Sequence, residues 1–285
     1  MKRKEFIKSA GIMLASGVVT GFGNVEESKA VKQPSVMPTA EAKPFPIYDL
    51  HVHLSPTQTA QQVVEKAEKN GIQMFGLIIN PGRSEDRGRN DDSLLRFINE
   101  VKDLPCYMGL QPMEMGWSAY LSKELIEKAD YIIMDPQTIR NSNKYGDTSN
   151  AWRYDCYIPD TEEFMKINVE HYLKVINNPE PLNIFGWPLY LPPAIAPLYL
   201  RLWTKERMEQ IIEAARNRGI AFEINDLART PHTEFILMAK KAGVKFVFGS
   251  DTRDHRTFRL DYCKQVASLC GLTEDDFYIP VRKKR

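Results

Sequence analysis

The chain has 285 residues, with 43% hydrophobic and 26% charged residues and a formal net charge of +1. That balance excludes global disorder and gives enough apolar residues for a sizeable core. With 38 Lys+Arg against 37 Asp+Glu, no global field directs the chain to nucleic acid or to an acidic surface, and no nucleic-acid partner is expected.

The chain opens with Lys2-Arg-Lys-Glu-Phe-Ile-Lys8, followed by a mild apolar run from Ala10 to Phe22. A charged start before a short apolar stretch is an export pattern, and the run is shorter than the about 20 apolar residues a membrane span needs. Residues 1–30 therefore predict an export signal, with no stable membrane span and a periplasmic or cell-envelope location. The pattern is twin-arginine-like, although Arg3-Lys4 stands where a pair of arginines is usual, so the general export route stays open. A retained amphipathic anchor is the alternative. Residues 31–45 carry Pro34, Pro38 and Pro44 among small polar residues and predict a linker.

From residue 46 to 281 apolar β-rich runs alternate with helical patterns. Ile47 to His51 predicts a strand and Thr59 to Asn70 a helix stopped by Gly71. Met74 to Ile79 is the next strand, and Asp91 to Lys102 a helix with an acidic first turn. Tyr107 to Leu110 precedes a short helix, Ser122 to Lys128. Tyr131 to Met134 precedes a long one, Thr161 to Ile176. Asn183 to Phe185 leads to the helix Thr204 to Asn217, closed by Arg218-Gly219. Ala221 to Ile224 leads to Pro231 to Lys241, with proline in its first turn. Lys245 to Phe248 leads to the last helix, Arg259 to Leu269, ended by Gly271. Residues 282–285, Arg-Lys-Lys-Arg, read as a frayed basic tail.

Seven strand–helix units predict right-handed crossovers and a parallel sheet. No glycine-rich nucleotide loop follows any strand, which argues against doubly wound nucleotide-binding folds. The expected fold is α/β, a distorted seven-stranded (βα)7 TIM-like barrel. Its working face lies at the C-terminal ends of the strands.

The residues at those ends are His51 and His53, Asn80, Gln111 and Glu114, Asp135 and Gln137, Trp187, Glu223 and Asn225, and Asp251 and Arg253. His51 and His53 are two apart on a strand and point to one side. Two imidazoles on one side can ligate a divalent ion, and Asp251 ends the strand that would neighbour the first in a closed barrel. A hydrogen-bonded polar cluster holding the barrel mouth is the competing reading.

Asp49-Leu-His-Val-His53, Phe222-Glu-Ile-Asn225 and Phe248-Gly-Ser-Asp251 resemble the polymerase-and-histidinol-phosphatase (PHP) superfamily, and also a group of uncharacterised exported bacterial proteins. The resemblance implies a distorted seven-stranded barrel with up to three metal ions. For the first ion it implies His51, His53 and Asp251, with Gln111 or Glu114 where the family has an acidic residue after strand 3. The second ion's histidines correspond to Gln137 and Trp187, and the third's to Thr59, Asn80 and Arg253. One ion site, for zinc or manganese, is thus expected to survive, or none.

Metal-assisted hydrolysis uses one ion to activate a nucleophile and others to clamp oxygens. Arg253 is expected to stand in for a lost cation and hold an anion bidentately. The competing reading pairs it with Asp254 or Asp226 at the surface. Glu223 or Glu114 would handle protons, while Glu223 and Asn225 could instead orient the histidines from behind. Asn80, Gln111, Asn225, Trp187 and Arg253 are the candidate substrate contacts. Trp187 and Tyr190 lie in the aromatic stretch from Gly186 to Trp203, read as a pocket wall that could stack on a sugar or as packing over the rim. His255 lies near enough in sequence to reach the mouth, whereas His171 and His232 read as solvated helix residues.

Cys106, Cys156, Cys263 and Cys270 form no metal-binding spacing and read as small buried residues, with disulfides open to an exported chain. The sequence favours a hydrolase using one divalent ion on a small phosphoester or other anionic substrate. A catalytically inactive barrel binding a small ligand such as a carbohydrate comes second. An amidohydrolase-type enzyme comes third, because the further histidines it needs read Trp187 and Glu223. Oligomeric state is not legible.

Overall fold

A computed structural model describes residues 45–82, 88–137 and 156–285, which belong to one compact unit. The predicted export signal, and all of the predicted linker except Phe45, lie outside the described residues. No helix among the described residues is long and apolar enough to cross a membrane.

Seven strands form one parallel sheet in sequence order: β1 (Tyr48–His53), β2 (Met74–Ile79), β3 (Tyr107–Leu110), β4 (Tyr131–Met134), β5 (Ile184–Phe185), β6 (Ala221–Asn225) and β7 (Phe246–Gly249). The chain just after β7 returns to β1. Asp251 N donates to the His51 carbonyl at 2.9 Å, and His53 N donates to the Thr252 carbonyl at 3.1 Å. The sheet is therefore a nearly closed barrel, as the strand–helix alternation predicts. The first strand runs on to His53 because this pairing continues past His51, the end expected from sequence.

Eight α-helices occur among the described residues: α1 (Ala60–Lys69), α2 (Asp91–Val101), α3 (Lys123–Ile126), α4 (Thr161–Asn177), α5 (Tyr199–Leu202), α6 (Lys205–Arg218), α7 (Thr233–Lys241) and α8 (Asp261–Leu269). Local chemistry sets their ends. Thr59 and Gln62 form a reciprocal capping box at the start of α1, and Asp160 accepts from Glu162 N and Glu163 N at the start of α4. Gly219 ends α6 at φ 65°, a left-handed conformation that glycine adopts without a Cβ clash. The short α5 lies in the aromatic stretch from Gly186 to Trp203 and was not expected from sequence, because prolines interrupt its approach and no helical period shows.

The core has two outer parts and an inner plug. Outward faces of the early strands pack on α1 and α2 through Val63, Leu77, Leu94 and Phe97. The later strands pack on α4, α6, α7 and α8 through Tyr172, Phe185, Ile211, Phe235 and Cys263. Burying each such side chain contributes about 1.5–3 kcal/mol. Inside the barrel, Leu50, Ile78, Tyr131, Ile133, Ile184, Ala221 and Val247 fill the lower half. Tyr131 fits there because Gly76 and Gly109 carry no side chain; a Cβ at either would overlap its ring. Its hydroxyl donates to the Leu50 carbonyl at 2.6 Å.

Two expectations are corrected. The basic end is not frayed. Arg285 is 3% exposed at its side chain and ion-pairs with the buried Asp130, while Lys283 N donates to Asp130 Oδ1 at 2.7 Å. Basic residues there meet an unneutralised carboxylate at the bottom of the barrel, which outweighs their tendency to hydrate. His171 and His232 are partly buried rather than solvated: His171 Nε2 and His232 Nδ1 are buried without a hydrogen-bond partner, and the His232 ring meets Tyr199 edge to face at 5.2 Å. The four cysteines are free and buried, so no disulfide forms; Cys263 Sγ donates to the Ile224 carbonyl at 3.0 Å.

Candidate metal centre

The candidate site forms where the first and last strands meet. Asp49 stitches them together, its Oδ1 accepting from His51 N at 3.2 Å and Ser250 N at 3.0 Å. Opposite β2, Asp49 pairs with Phe75 and Val52 with Leu77, so β1 carries an extra residue between these pairs. Such a bulge re-aims side chains. Here it lets Leu50 join the interior plug while His51 also turns inward.

His51 and His53 lie with ring centroids 5.3 Å apart. Their Nε2 atoms face the same oxygen, Asp251 Oδ1, at 3.2 Å and 3.5 Å. Both nitrogens are buried, and neither makes a hydrogen bond. Buried polar atoms are normally satisfied, so two orphaned imidazole nitrogens aimed at one carboxylate oxygen mark a missing partner. One nitrogen from each histidine and one Asp251 oxygen lie within 4.8 Å of one another. Two nitrogens and an oxygen suit a divalent ion of the zinc or manganese type, so these residues fit the implied ion.

Behind the trio stands Glu223 on β6, fully buried. Its Oε1 is 2.6 Å from His51 Nδ1, and its Oε2 accepts from Trp187 N at 2.9 Å. There is room for it because Gly249, opposite, has no side chain; a Cβ there would overlap Glu223 Oε1 and crowd His51. Trp187, just past β5, donates its indole Nε1–H to Asp251 Oδ2 at 2.8 Å. Trp187 and Asp251 both hold left-handed backbone, at φ 46° and 47°. Aspartate tolerates this, whereas a bulky tryptophan there is strained.

Electrostatics divides the two histidines. Burial pushes His53 down to about 4, so its ring is neutral with a free lone pair. Burial also pushes His51 down, but Asp251 and Glu223 outweigh it and hold His51 well above its ordinary value. Burial works to raise Asp251 too, yet the facing His51 and His53 hold it well below the usual carboxylate range. Asp135, at the end of β4, is pushed up to about 7, chiefly by burial and also by Asp251. Asp49 is pushed up to about 6 by burial.

Of the residues expected at the site, His51, His53, Asp251, Glu223 and Trp187 converge. Arg253 reaches its edge: Nη1 lies 3.7 Å from Asp251 Oδ1, and the side chain is 52% exposed. The alternative partners expected for it are engaged elsewhere, Asp254 with Arg256 at 2.9 Å and Asp226 with the backbone at the start of α8. Asn80 and Gln111 hold one another, Asn80 Nδ2 donating to Gln111 Oε1 at 2.8 Å. Asn225 Oδ1 accepts from Ala228 N, while its Nδ2 is buried without a partner. Glu114 sits in the turn after β3 and is not one of the groups within 4.8 Å. Gln137 Nε2 donates to Tyr172 Oη and the Trp187 carbonyl. Thr59 caps α1. The His255 side chain, 87% exposed, points to solvent beside Asp254.

The stretch from Gly186 to Trp203 mostly packs over the rim, as its second reading expected. Leu189, Leu191, Leu202 and Trp203 are buried, and Trp203 Nε1 donates to the Leu189 carbonyl. Trp187 and Tyr190 alone among its aromatics meet near the site, edge to face at 5.0 Å. Sequence reading placed Asp135 at a strand end without giving it a role; its position after an apolar strand was the only signal. The indole bond to Asp251 had none.

No family model and no curated protein sequence matches the chain. Among solved structures, the chain is similar to histidinol phosphate phosphatase from Lactococcus lactis subsp. lactis Il1403, determined with zinc, L-histidinol and phosphate. That likeness has a TM-score of 0.54 at 17% identity, covering 82% of this chain and 95% of that one. An HpcH/HpaI aldolase from Desulfitobacterium hafniense DCB-2 gives a TM-score of 0.37 at 9% identity, over 80% of this chain and 94% of that one. The first likeness shows the fold: the barrel expected from the strand pattern is the architecture of a known phosphatase.

Proposed function

We propose that the chain is a metal-dependent hydrolase acting on a small phosphoester or other anionic substrate through one divalent ion held by His51, His53 and Asp251. The observation that carries this is the pair of buried, unpartnered Nε2 atoms facing Asp251 Oδ1. The phosphatase likeness supports the fold in which such a site works, and that enzyme was determined with zinc and phosphate. The leading residues 1–30 support export, which cell fractionation with and without them tests.

When bound, the ion supplies Lewis acidity and lowers the pKa of water. The chain's residues do the rest. With Nδ1–H donated to Glu223, His51 would offer Nε2 to an ion that takes the place of the ring's second proton. His53, kept neutral by burial, presents its own. Glu223 has both oxygens engaged, so its part is to hold His51, and proton handling falls to other carboxyls. Asp135, pushed up to about 7, carries a proton near neutral pH and can release it to a leaving group, with Glu114 further out. The half-exposed guanidinium of Arg253 sits at the rim to hold an anion bidentately.

A ligand-binding barrel without catalysis is the second reading, favoured by Gln137 and Trp187, which bond to each other where a second ion's histidines would stand. Elemental analysis of protein purified without chelator separates them, together with turnover of a chromogenic aryl phosphate. One ion per chain, absent in His51→Ala, with turnover lost alongside it, supports the hydrolase. An ion-free wild type that turns nothing over overturns it.

A further inference from the structure

Trp187 is the residue through which the site's parts are joined. Its indole N–H holds Asp251 Oδ2, its main-chain N–H holds Glu223 Oε2, and its carbonyl accepts from Gln137 Nε2 and Tyr190 N, both at 3.3 Å. Glu223 in turn holds His51. One residue therefore fixes two of the three ligand side chains. It does so at φ 46°, a conformation that costs a bulky residue on the order of 1–3 kcal/mol and persists only where surrounding bonds over-determine it.

The consequence lies in how Asp251 uses its two oxygens. A carboxylate can give one oxygen to an ion, chelate it with both, or bridge two ions. Here Oδ1 faces both Nε2 atoms while Oδ2 is turned away and capped by the indole N–H. An N–H donor on that oxygen competes with any cation for its lone pairs. We infer that Trp187 is a positioning residue that confines Asp251 to one ligand oxygen and so limits the site to a single divalent ion. This rests on the metal-dependent reading above, and it gives Trp187 a part besides the stacking or rim packing that the sequence leaves open.

Trp187→Phe removes the indole N–H but keeps an aromatic ring beside Tyr190 and the main-chain bond to Glu223. Zinc affinity and stoichiometry are read by chelator competition, and coordination by the visible spectrum of the cobalt(II)-substituted protein. The variant is expected to bind zinc about 10–100-fold more weakly, or to take up a second ion. Its cobalt bands should change in shape and intensity as the freed oxygen enters the coordination sphere. Affinity, stoichiometry and cobalt spectrum all equal to the wild type's, in a folded variant, overturn the inference alone. A wild type that binds no ion overturns the metal reading and this inference with it. If the variant does not fold, the wild type's ¹⁵N indole spectrum decides. Zinc is expected to move one of its tryptophan N–H resonances, and a spectrum that zinc leaves unmoved overturns the inference.

Discussion

Glu223 acts on the site from behind, and substitutions there and at its neighbour show how little slack the arrangement has. In Glu223→Gln the side chain keeps its shape but loses its charge. One end must now offer an N–H either to Trp187 N or to His51 Nδ1, both of which are placed to donate. Zinc affinity is expected to fall about 10–100-fold, measured by chelator competition. Gly249→Ala drives a methyl group into Glu223 and His51. Overpacking of this kind is expected to cost about 1–3 kcal/mol, read from the urea unfolding midpoint, with bound metal falling as well. At this scale the sequence was half legible. The H-x-H spacing and the strand-end Asp251 announced the cluster of two imidazoles and a carboxylate, because strand ends next to one another in a closed barrel bring them together. Glu223's orienting role, Asp135's protonation and the indole bond depend on contacts across the barrel between distant positions, which no local pattern encodes.

Elements were read well where they are long and strongly patterned. β2, β3 and β4 begin and end where the apolar runs do, since turn residues flank them. β5 is only Ile184–Phe185, and the aromatic segment after it was ambiguous because its apolar residues serve both rim and site. The basic end was misread because its partner, Asp130, lies on the approach to β4 and far away in sequence. Arg285→Ala would leave Asp130 buried with backbone donors but no counter-charge. Breaking a buried pair from one side costs on the order of 3–5 kcal/mol. A clear drop in melting temperature is expected by calorimetry, and an unchanged value would show the pair to be dispensable.

For the molecule as a whole, closure of the sheet is the decisive property, and it was legible because seven alternating units leave few other ways to bury both faces of a parallel sheet. The buried carboxyls Asp135 and Asp49, pushed up to about 7 and about 6, also set its response to pH. A carboxyl whose folded pKa is raised stabilises fully below its unfolded pKa and loses that contribution as pH rises through the folded value. Asp135→Asn is therefore expected to gain stability relative to the wild type as pH rises from about 4 to about 7 and to level off above, in urea unfolding without metal. A difference independent of pH would place that carboxyl in solvent.

The hydrogen bonds from Asp251 to His51 and from His53 to Thr252 tie together segments some two hundred positions apart. During synthesis both imidazoles leave the ribosome some two hundred residues before the carboxylate that would complete the proposed set. A nascent chain thus exposes an incomplete set of donors, and selective capture of an ion must wait for the final strand to dock. Metal acquisition would then report finished folding, and a chain cut short before β7 would be left with two histidines and nothing to close them.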